Sequence, residues 1–335
     1  MKIALLLFIA FSCYASAQTS NAYYGAGMSK VALKNFEGAI ADFTKAIESD
    51  TLYADAYLNR GLCKAELEDY YGAMADFTKA IEINPLGAHY YFNRGRCNEV
   101  LKDVNGAIAD YTRAIELNPR IARSYLYRGG CKADLKDLHG AIADYTKAIE
   151  IDPQEANSYC GRGLCKSELN DISGAITDYS KAIEIDTKYA SAYHNRAQCK
   201  SLLKDFIGAI VDYTKAIELD PRSAVAYLNR GACKIELKDF IVAVTDYTQA
   251  IELDPRNAIA YYNRGGCKLE LRDFNGAIAD YTKAIEIDPQ YASAYYNRGI
   301  AEISNGNNDK GCLDLNRARD MGISPADDVF VRECK

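Results

Sequence analysis

Residues 261–289 read YYNRGGCKLELRDFNGAIADYTKAIEIDP, and a shift of 34 positions in either direction places a near copy on this stretch. The tyrosine that opens it recurs in nine consecutive copies, at Tyr23, Tyr57, Tyr91, Tyr125, Tyr159, Tyr193, Tyr227, Tyr261 and Tyr295. The alanine near its end recurs as strictly, at Ala46, Ala80, Ala114, Ala148, Ala182, Ala216, Ala250, Ala284 and Ala318. A period this regular predicts an array of identical supersecondary elements.

Each repeat is predicted to form two helices, called helix A and helix B. Small and apolar residues over 261–271 predict helix A, and helical spacing of apolar residues over 275–287 predicts helix B. Asp273 lies between them and is a favourable N-cap for helix B. Pro289 ends helix B, because proline disfavours helix at the residue before it.

The pattern Tyr261, Gly265, Ala277, Tyr281, Ala284 and Pro289 resembles the tetratricopeptide repeat. Two departures are the tyrosine in place of the family's usual tryptophan and Arg264 in place of its usual leucine. The resemblance covers nine repeats, from Ser20 to Pro325. It implies an all-α, right-handed α-solenoid, or superhelix, over residues 18–325. A proline-containing helix start at Ser324 predicts a C-terminal capping helix over residues 326–335.

The first 17 residues have the pattern of a cleaved secretory signal peptide. Lys2 precedes an apolar run over residues 3–11, and Ala15-Ser16-Ala17 forms a small-residue cleavage site before Gln18. The apolar run is too short to span a bilayer. Cys13 follows a poor lipobox, so we do not expect a lipoprotein. The mature protein is therefore expected to be secreted or periplasmic, without stable membrane insertion, and the choice between these two compartments is open.

Charge and composition argue against several functional classes. The 40 basic and 46 acidic residues are interspersed, which disfavours the one-sided basic surface that nucleic acid requires. The three histidines, His89, His139 and His194, are far apart in the repeat array and have no predicted catalytic partner. We therefore expect no enzyme activity, no cofactor, no metal site and no nucleic-acid partner.

Most of the 11 cysteines follow the repeat period. One column holds Cys63, Cys97, Cys131, Cys165, Cys199, Cys233 and Cys267. Equivalent residues of stacked repeats are roughly 10 Å apart, which is too far for disulfides, so we interpret these as small buried thiols. Cys312 and Cys334 lie outside this column, on the last helix B and the predicted cap, and are a possible disulfide.

Two charged columns predict a structural network. One contains an arginine in each of repeats two to nine, from Arg60 to Arg298, and the other an aspartate in every repeat, from Asp42 to Asp314. An arginine beside the close-packed glycine of helix A needs acceptors, because partly buried charge without a partner is costly. We predict that each arginine pairs with an aspartate of its own or the adjacent repeat.

A column of asparagines precedes the arginines, at Asn59, Asn93, Asn195, Asn229, Asn263 and Asn297. Some long tetratricopeptide superhelices hold a ligand's backbone with an asparagine at this place in the concave groove, so the resemblance implies a peptide-binding row. A carboxamide both donates and accepts, and so can pair with any peptide backbone. Leu228, Tyr262 and Tyr296 would add apolar contacts. The alternative, that asparagine simply tolerates a half-exposed helix surface, is open.

Two functions of different classes follow from these patterns. The first is an exported scaffold that binds an extended, partly apolar and basic polypeptide segment in the groove, where Glu66, Asp134, Glu168, Glu236 and Glu270 form an acidic edge. Basic residues that would hold a C-terminal carboxylate are absent from the groove, so that specific activity is not expected. The second is a structural or assembly factor of the cell envelope that uses its convex face or its ends.

Overall fold

The computed structural model describes residues 18–323 and residue 334. The predicted signal peptide and the predicted capping helix, apart from Cys334, lie outside the described residues. Two compact units divide the chain, the first ending at Leu169 and the second beginning at Asn170. None of the described helices is long and apolar enough to cross a membrane.

Helices alternate with short loops through both units, and no strand occurs over residues 18–323. The first unit contains α1 (described over residues 18–32), α2 (Phe36–Ser49), α3 (Ala54–Glu66), α4 (Tyr70–Ile83), α5 (Ala88–Val100), α6 (Val104–Leu117), α7 (Ala122–Asp134), α8 (Leu138–Ile151) and α9 (Ala156–Glu168). The second contains α10 (Ile172–Ile185), α11 (Ala190–Leu202), α12 (Phe206–Leu219), α13 (Ala224–Glu236), α14 (Phe240–Leu253), α15 (Ala258–Glu270), α16 (Phe274–Ile287), α17 (Ala292–Ser304) and α18 (Asn308–Asp320). Odd-numbered helices are helix A of a repeat and even-numbered helices are helix B, which confirms the predicted all-α tandem fold, an α-solenoid.

The loop between helix A and helix B is set by two residues. The residue before the N-cap has a positive φ in repeats one to eight, for example Arg272 at 59°, and Gly306 takes this role in repeat nine. The aspartate that follows caps helix B: Asp273 accepts a hydrogen bond from the backbone N–H of Gly276 at 3.0 Å. Both observations confirm the predicted start of helix B.

The core consists of small residues packed around one aromatic ring per repeat. In repeat eight, Ala277, Tyr281 and Ala284 of α16 have no exposed surface. A Cβ atom on Gly265 of α15 would lie only 3.0 Å from the Tyr281 ring. The glycine column therefore allows helix A to approach the aromatic ring of helix B closely.

The thiols of the cysteine column are buried, with at most 4% of each residue exposed, which confirms the interpretation as small core residues. Burial raises the pKa of Cys63, Cys131 and Cys267 to about 11. The structure also joins Cys312 of α18 to Cys334 by a disulfide, with Cα atoms 5.4 Å apart. This bond attaches residue 334 to the last described helix.

In seven repeats the arginine pairs with the aspartate of its own repeat, which is one of the two predicted arrangements. Arg230 of α13 donates from Nη2 to Asp246 Oδ1 at 2.6 Å and from Nε to Asp246 Oδ2 at 3.0 Å. Its Nη1 donates to Thr214 Oγ1 of α12 at 3.0 Å, so one guanidinium joins three consecutive helices. The same pairing joins Arg60–Asp76, Arg94–Asp110, Arg128–Asp144, Arg196–Asp212, Arg230–Asp246, Arg264–Asp280 and Arg298–Asp314.

A second cation on the same aspartates was missed by the sequence interpretation. Lys234 lies 2.8 Å from Asp246 Oδ2, and Lys64, Lys132, Lys200 and Lys268 make the equivalent contact in their repeats. In repeat three Asn98 replaces the lysine and donates to Asp110 at 3.0 Å. The signal was present, because a lysine four residues after an arginine lies on the same face of a helix.

Candidate functional site

The predicted asparagine row lies on helix A of its repeats, and every member is half-buried. Asn59 and Asn93 belong to α3 and α5 of the first unit. The other four, Asn195, Asn229, Asn263 and Asn297, lie at equivalent positions of α11, α13, α15 and α17 in the second unit. We call the surface formed by this column and its helix-A neighbours the helix-A surface.

Some of the asparagines already make hydrogen bonds within the protein. Asn59 donates from Nδ2 to Tyr24 Oη at 3.0 Å, and Asn297 donates to Tyr262 Oη at 2.9 Å. Asn93 donates to the carbonyl of His89, one turn earlier, at 2.8 Å. These bonds orient the carboxamides, and the carboxamide oxygen is the atom best placed to accept from a ligand.

Beneath this row lie aromatic side chains of helix B. Tyr247 and Tyr281 have no exposed surface, and their hydroxyls make no hydrogen bond to the described residues. Burial raises the pKa of both phenols, and the nearby carboxamides of Asn263 and Asn297 oppose that shift. The asparagine row therefore lies directly above buried phenol hydroxyls.

Three of the predicted residues line one cavity of about 540 Å³ in the second unit: Tyr262, Asn263 and Asn297. The complete lining comprises Ile235, Glu236, Lys238, Phe240, Tyr262, Asn263, Gly266, Cys267, Glu270 and Asn297. A volume of this size is in the range of small-ligand sites. The structure thus brings aromatic, carboxamide and acidic groups together on the C-terminal part of the helix-A surface.

The remaining predicted residues lie elsewhere. Asn195 lines a separate cavity of about 230 Å³ beside His194, while Asn59 and Asn229 line none of the three described cavities. Leu228 packs against the buried side chains around Tyr247, so it belongs mainly to the core. Tyr296 is half-buried on α17.

The first unit has a cavity of about 480 Å³ with a different charge pattern. Asn93 and Phe92 line it together with the acids Glu66 and Glu68 and the bases Arg96 and Arg123. Arg96 also lies over the Tyr127 ring, 4.1 Å from its centroid. The sequence interpretation missed both arginines, because neither follows the repeat period.

Acid–base and metal chemistry find little support among the described residues. No group of three or more His, Cys, Asp or Glu side chains there is arranged to hold a metal ion. His194 is half-buried, its pKa is lowered by desolvation, and its ring packs against Tyr213 with centroids 5.4 Å apart. The arrangement suits recognition of a ligand by contact and hydrogen bonding.

Several solved structures have a similar fold. YrrB, described as a TPR protein with an unusual peptide-binding site, is 25% identical, with a TM-score of 0.50 over 53% of this chain and 92% of its own. Pseudomonas aeruginosa pilF is 18% identical, with a TM-score of 0.57 over 65% of this chain and 97% of its own. The Cut9–Hcn1 hetero-tetramer of the APC/C is 15% identical, with a TM-score of 0.51 over 94% of this chain and 76% of its own. The last two likenesses concern the fold alone, which is typical of non-enzymatic scaffolds.

A comparison with the curated proteins found no match. Family models, in contrast, match most of the chain. Models described as TPR repeat or tetratricopeptide repeat match residues 20–51, 54–85, 101–156, 167–199, 190–223, 236–266 and 269–306. These matches fall on the repeated helices described above, and each matched stretch contains members of the tyrosine and alanine columns. The chain belongs to the tetratricopeptide repeat family.

Proposed function

We propose that the chain is a protein-interaction scaffold that binds an extended polypeptide segment along the helix-A surface of its second unit. The observation that carries this proposal is the cavity in which Tyr262, Asn263 and Asn297 converge. The described peptide-binding site of YrrB, which has the same repeat fold, supports a peptide as the class of ligand.

The chemistry of the row fits an extended backbone. Each carboxamide presents one acceptor and two donors, so it can pair with a peptide C=O or N–H whatever the side chain. The aromatic faces of Tyr262 and Phe240 provide apolar contact for the side chains between those bonds. Affinity would come from several modest hydrogen bonds, each contributing about 0.5–1.5 kcal/mol.

A variant with Asn229, Asn263 and Asn297 all changed to alanine tests the proposal. The probe is a displayed library of random dodecapeptides, and the peptides that bind the wild-type protein are synthesised and titrated. We expect at least a tenfold loss of affinity in the variant, since three such terms exceed about 1.4 kcal/mol. Far-UV circular dichroism should report an unchanged helical content, because alanine favours helix more than asparagine does. Unchanged affinity of the variant, with its fold intact, would overturn the proposal.

A second candidate function uses the opposite surface of the repeats. The B helices α12 and α14 expose three aliphatic side chains: Ile207 (69% exposed) and Val211 (62%) on α12, and Ile241 (70%) on α14. Exposed aliphatic clusters favour a docking role, as in a structural or assembly factor of the cell envelope. The matched variant is Ile207→Ser with Ile241→Asn, because Ser173 and Asn275 stand at the same place in neighbouring repeats. If this variant loses envelope partners while the asparagine variant keeps them, the second candidate replaces the first.

Export remains part of the proposal, on the basis of residues 1–17 alone. Cleavage after Ala17 would leave Gln18 as the first residue of the mature protein. N-terminal sequencing of the protein expressed with its full leader is the direct measurement. A mature chain that retains Met1 or Lys2 would contradict export by this route.

A further inference from the structure

One wall of the 540 Å³ cavity in the second unit carries no side chain, whereas the equivalent cavity of the first unit has Arg96 at that position. Gly266 lies on its wall. The same column holds a small residue at Gly130 and Ala232 and a large one in the other six repeats, at Met28, Leu62, Arg96, Leu164, Gln198 and Ile300. A Cβ atom on Gly266 would meet only Tyr281 Oη, at 3.7 Å, so the space above it is free.

A second glycine of this column has different neighbours, although a Cβ atom on it would also meet only a tyrosine hydroxyl, Tyr145 Oη at 3.7 Å. Gly130 also lacks a side chain, but Tyr127 stands there at the position of Asn263. Arg96 covers the Tyr127 ring at 4.1 Å. Repeat eight is thus the place where the missing side chain, an asparagine and aromatic walls occur together.

The rim of this cavity is acidic. Glu236 and Glu270, at the C-terminal ends of α13 and α15, are exposed on it, and Lys238 is the one basic group in the lining. In the first unit the equivalent lysine and glutamate form an ion pair, Lys136 Nζ to Glu168 Oε2 at 2.8 Å. No such pair joins Lys238 and Glu270 among the described residues, so Glu270 has capacity for an external cation.

The walls and floor complement a long side chain with a polar end. Phe240 and Tyr262 are half-buried and offer apolar surface against which a methylene stem can lie. The Tyr262 ring is held by neighbouring rings, with centroids 5.7 Å from Tyr281 and 4.9 Å from Tyr291. A cation over a fixed aromatic face gains a further attraction from the ring quadrupole.

On the basis of the proposed peptide binding, we propose that this cavity takes a lysine or arginine side chain of the bound peptide. The stem lies between Phe240 and Tyr262, and the charged head reaches Glu236 and Glu270. The carboxamides of Asn263 and Asn297 hold the peptide backbone on either side. This cavity gives the helix-A surface its register on the ligand, because a basic residue must stand at that one position.

The test uses the full-length protein and arrays of decapeptides of mixed sequence in which only one central residue is fixed. That residue is lysine, arginine, glutamate or norleucine, the last being an uncharged analogue of lysine. We expect wild-type protein to bind the lysine and arginine arrays at least fivefold more tightly than the norleucine array. The preference should weaken at high salt, because exposed charges are screened.

Two variants examine the acids and the space separately. Glu236→Gln with Glu270→Gln should remove the preference for basic residues but leave norleucine binding unchanged. Its matched control is Glu252→Gln with Glu286→Gln, which makes the same change in net charge on exposed positions of helix B and should keep the preference. Gly266→Leu should fill the cavity and lower binding of the basic arrays at least tenfold.

Folding does not confound the cavity-filling variant. Leucine occupies this position in repeats two and five, and it favours helix more than glycine does. The thermal midpoint of Gly266→Leu should therefore equal or exceed that of the wild type. A basic preference that survives Glu236→Gln with Glu270→Gln, or Gly266→Leu, would overturn the cation pocket.

The outcomes separate this inference from the function on which it rests. If peptides bind, and the triple asparagine variant loses them, but lysine and norleucine arrays bind equally, the cation pocket is wrong and the proposed function stands. If none of the four arrays binds wild-type protein, peptide binding by the helix-A surface is itself wrong.

Discussion

Asp246 is the residue whose replacement is expected to disturb the structural network most. Its carboxylate is held by Arg230 through two hydrogen bonds of 2.6 and 3.0 Å and by Lys234 at 2.8 Å. The side chain of Asp246 is 3% exposed and that of Arg230 is 16% exposed. Asp246→Asn would leave two cations side by side with no anion between them.

The burial of this ion pair and its remaining partners set the expected losses in the free energy of unfolding. Removing one partner of a buried ion pair costs about 3–5 kcal/mol, and the partial exposure of Arg230 favours the lower end, about 3 kcal/mol. Arg230→Gln should cost less, about 2 kcal/mol, because Lys234 still neutralises Asp246. Once Asp246 is neutral, little remains for Arg230 to stabilise. The double variant should therefore lose about 3 kcal/mol, which is a coupling of about 2 kcal/mol between the two positions.

Native-state hydrogen exchange of the amides in α13 and α14 is the appropriate assay, since a long repeat array does not unfold as one cooperative unit. The control pair is Lys215 and Glu218 on α12, 2.9 Å apart but with both side chains about half exposed. It should show no measurable coupling. Strictly additive losses for Asp246→Asn and Arg230→Gln would refute the network as a unit and reduce it to independent charges.

Three further outcomes follow from the fold. Deleting the whole repeat Ala190–Ser223 should leave a shorter folded array with proportionally less helical circular dichroism, because each repeat contacts its neighbours; loss of all helical signal would contradict the repeat description. Burial raises the pKa of Cys131 and Cys165 from 9.0 to about 11, so the stabilisation from keeping these thiols neutral is complete below pH 9 and is lost as pH rises through 11. The free energy of unfolding, measured by chemical denaturation, should therefore be lower at pH 10.5 than at pH 8, and the difference should be smaller in a variant with both cysteines changed to alanine. Reducing the bond between Cys312 and Cys334 should destabilise α18 by up to about 3 kcal/mol, and exchange in α18 that is unchanged by reductant would mean that this bond does not form in solution.

Periodicity made the helices and the charged network predictable. A column that is identical in every repeat must meet the same environment in every repeat, so the aspartates could be assigned to the arginines before any coordinates were known. The prediction left open which repeat supplied the partner, because sequence separation does not say which helix B lies beside a given guanidinium. In the structure, the arginine pairs with the aspartate of its own repeat and donates to a threonine on helix B of the preceding repeat.

The candidate site depends on departures from the repeat, and these are what the periodic pattern does not interpret. Asn59 and Asn297 donate to a tyrosine hydroxyl because Tyr24 and Tyr262 stand in the preceding repeats, whereas Leu58 precedes Asn93 and offers no such partner. An identical asparagine column therefore has different hydrogen bonds from repeat to repeat.

Gly266 illustrates the same point for shape. In the sequence alone, Gly266 is one more small residue of helix A, like Ala232 in the preceding repeat. Only the packing shows that it lies on the wall of a cavity shared with Phe240, Tyr262 and two glutamates that belong to different helices. In a repeat protein, the columns that are the same in every repeat build the scaffold. Ligand specificity has to come from the positions where one repeat differs from the others. Gly266 and Tyr262 are two such positions beside the asparagine row, and for that reason we expect the register of a bound peptide to be set at this cavity.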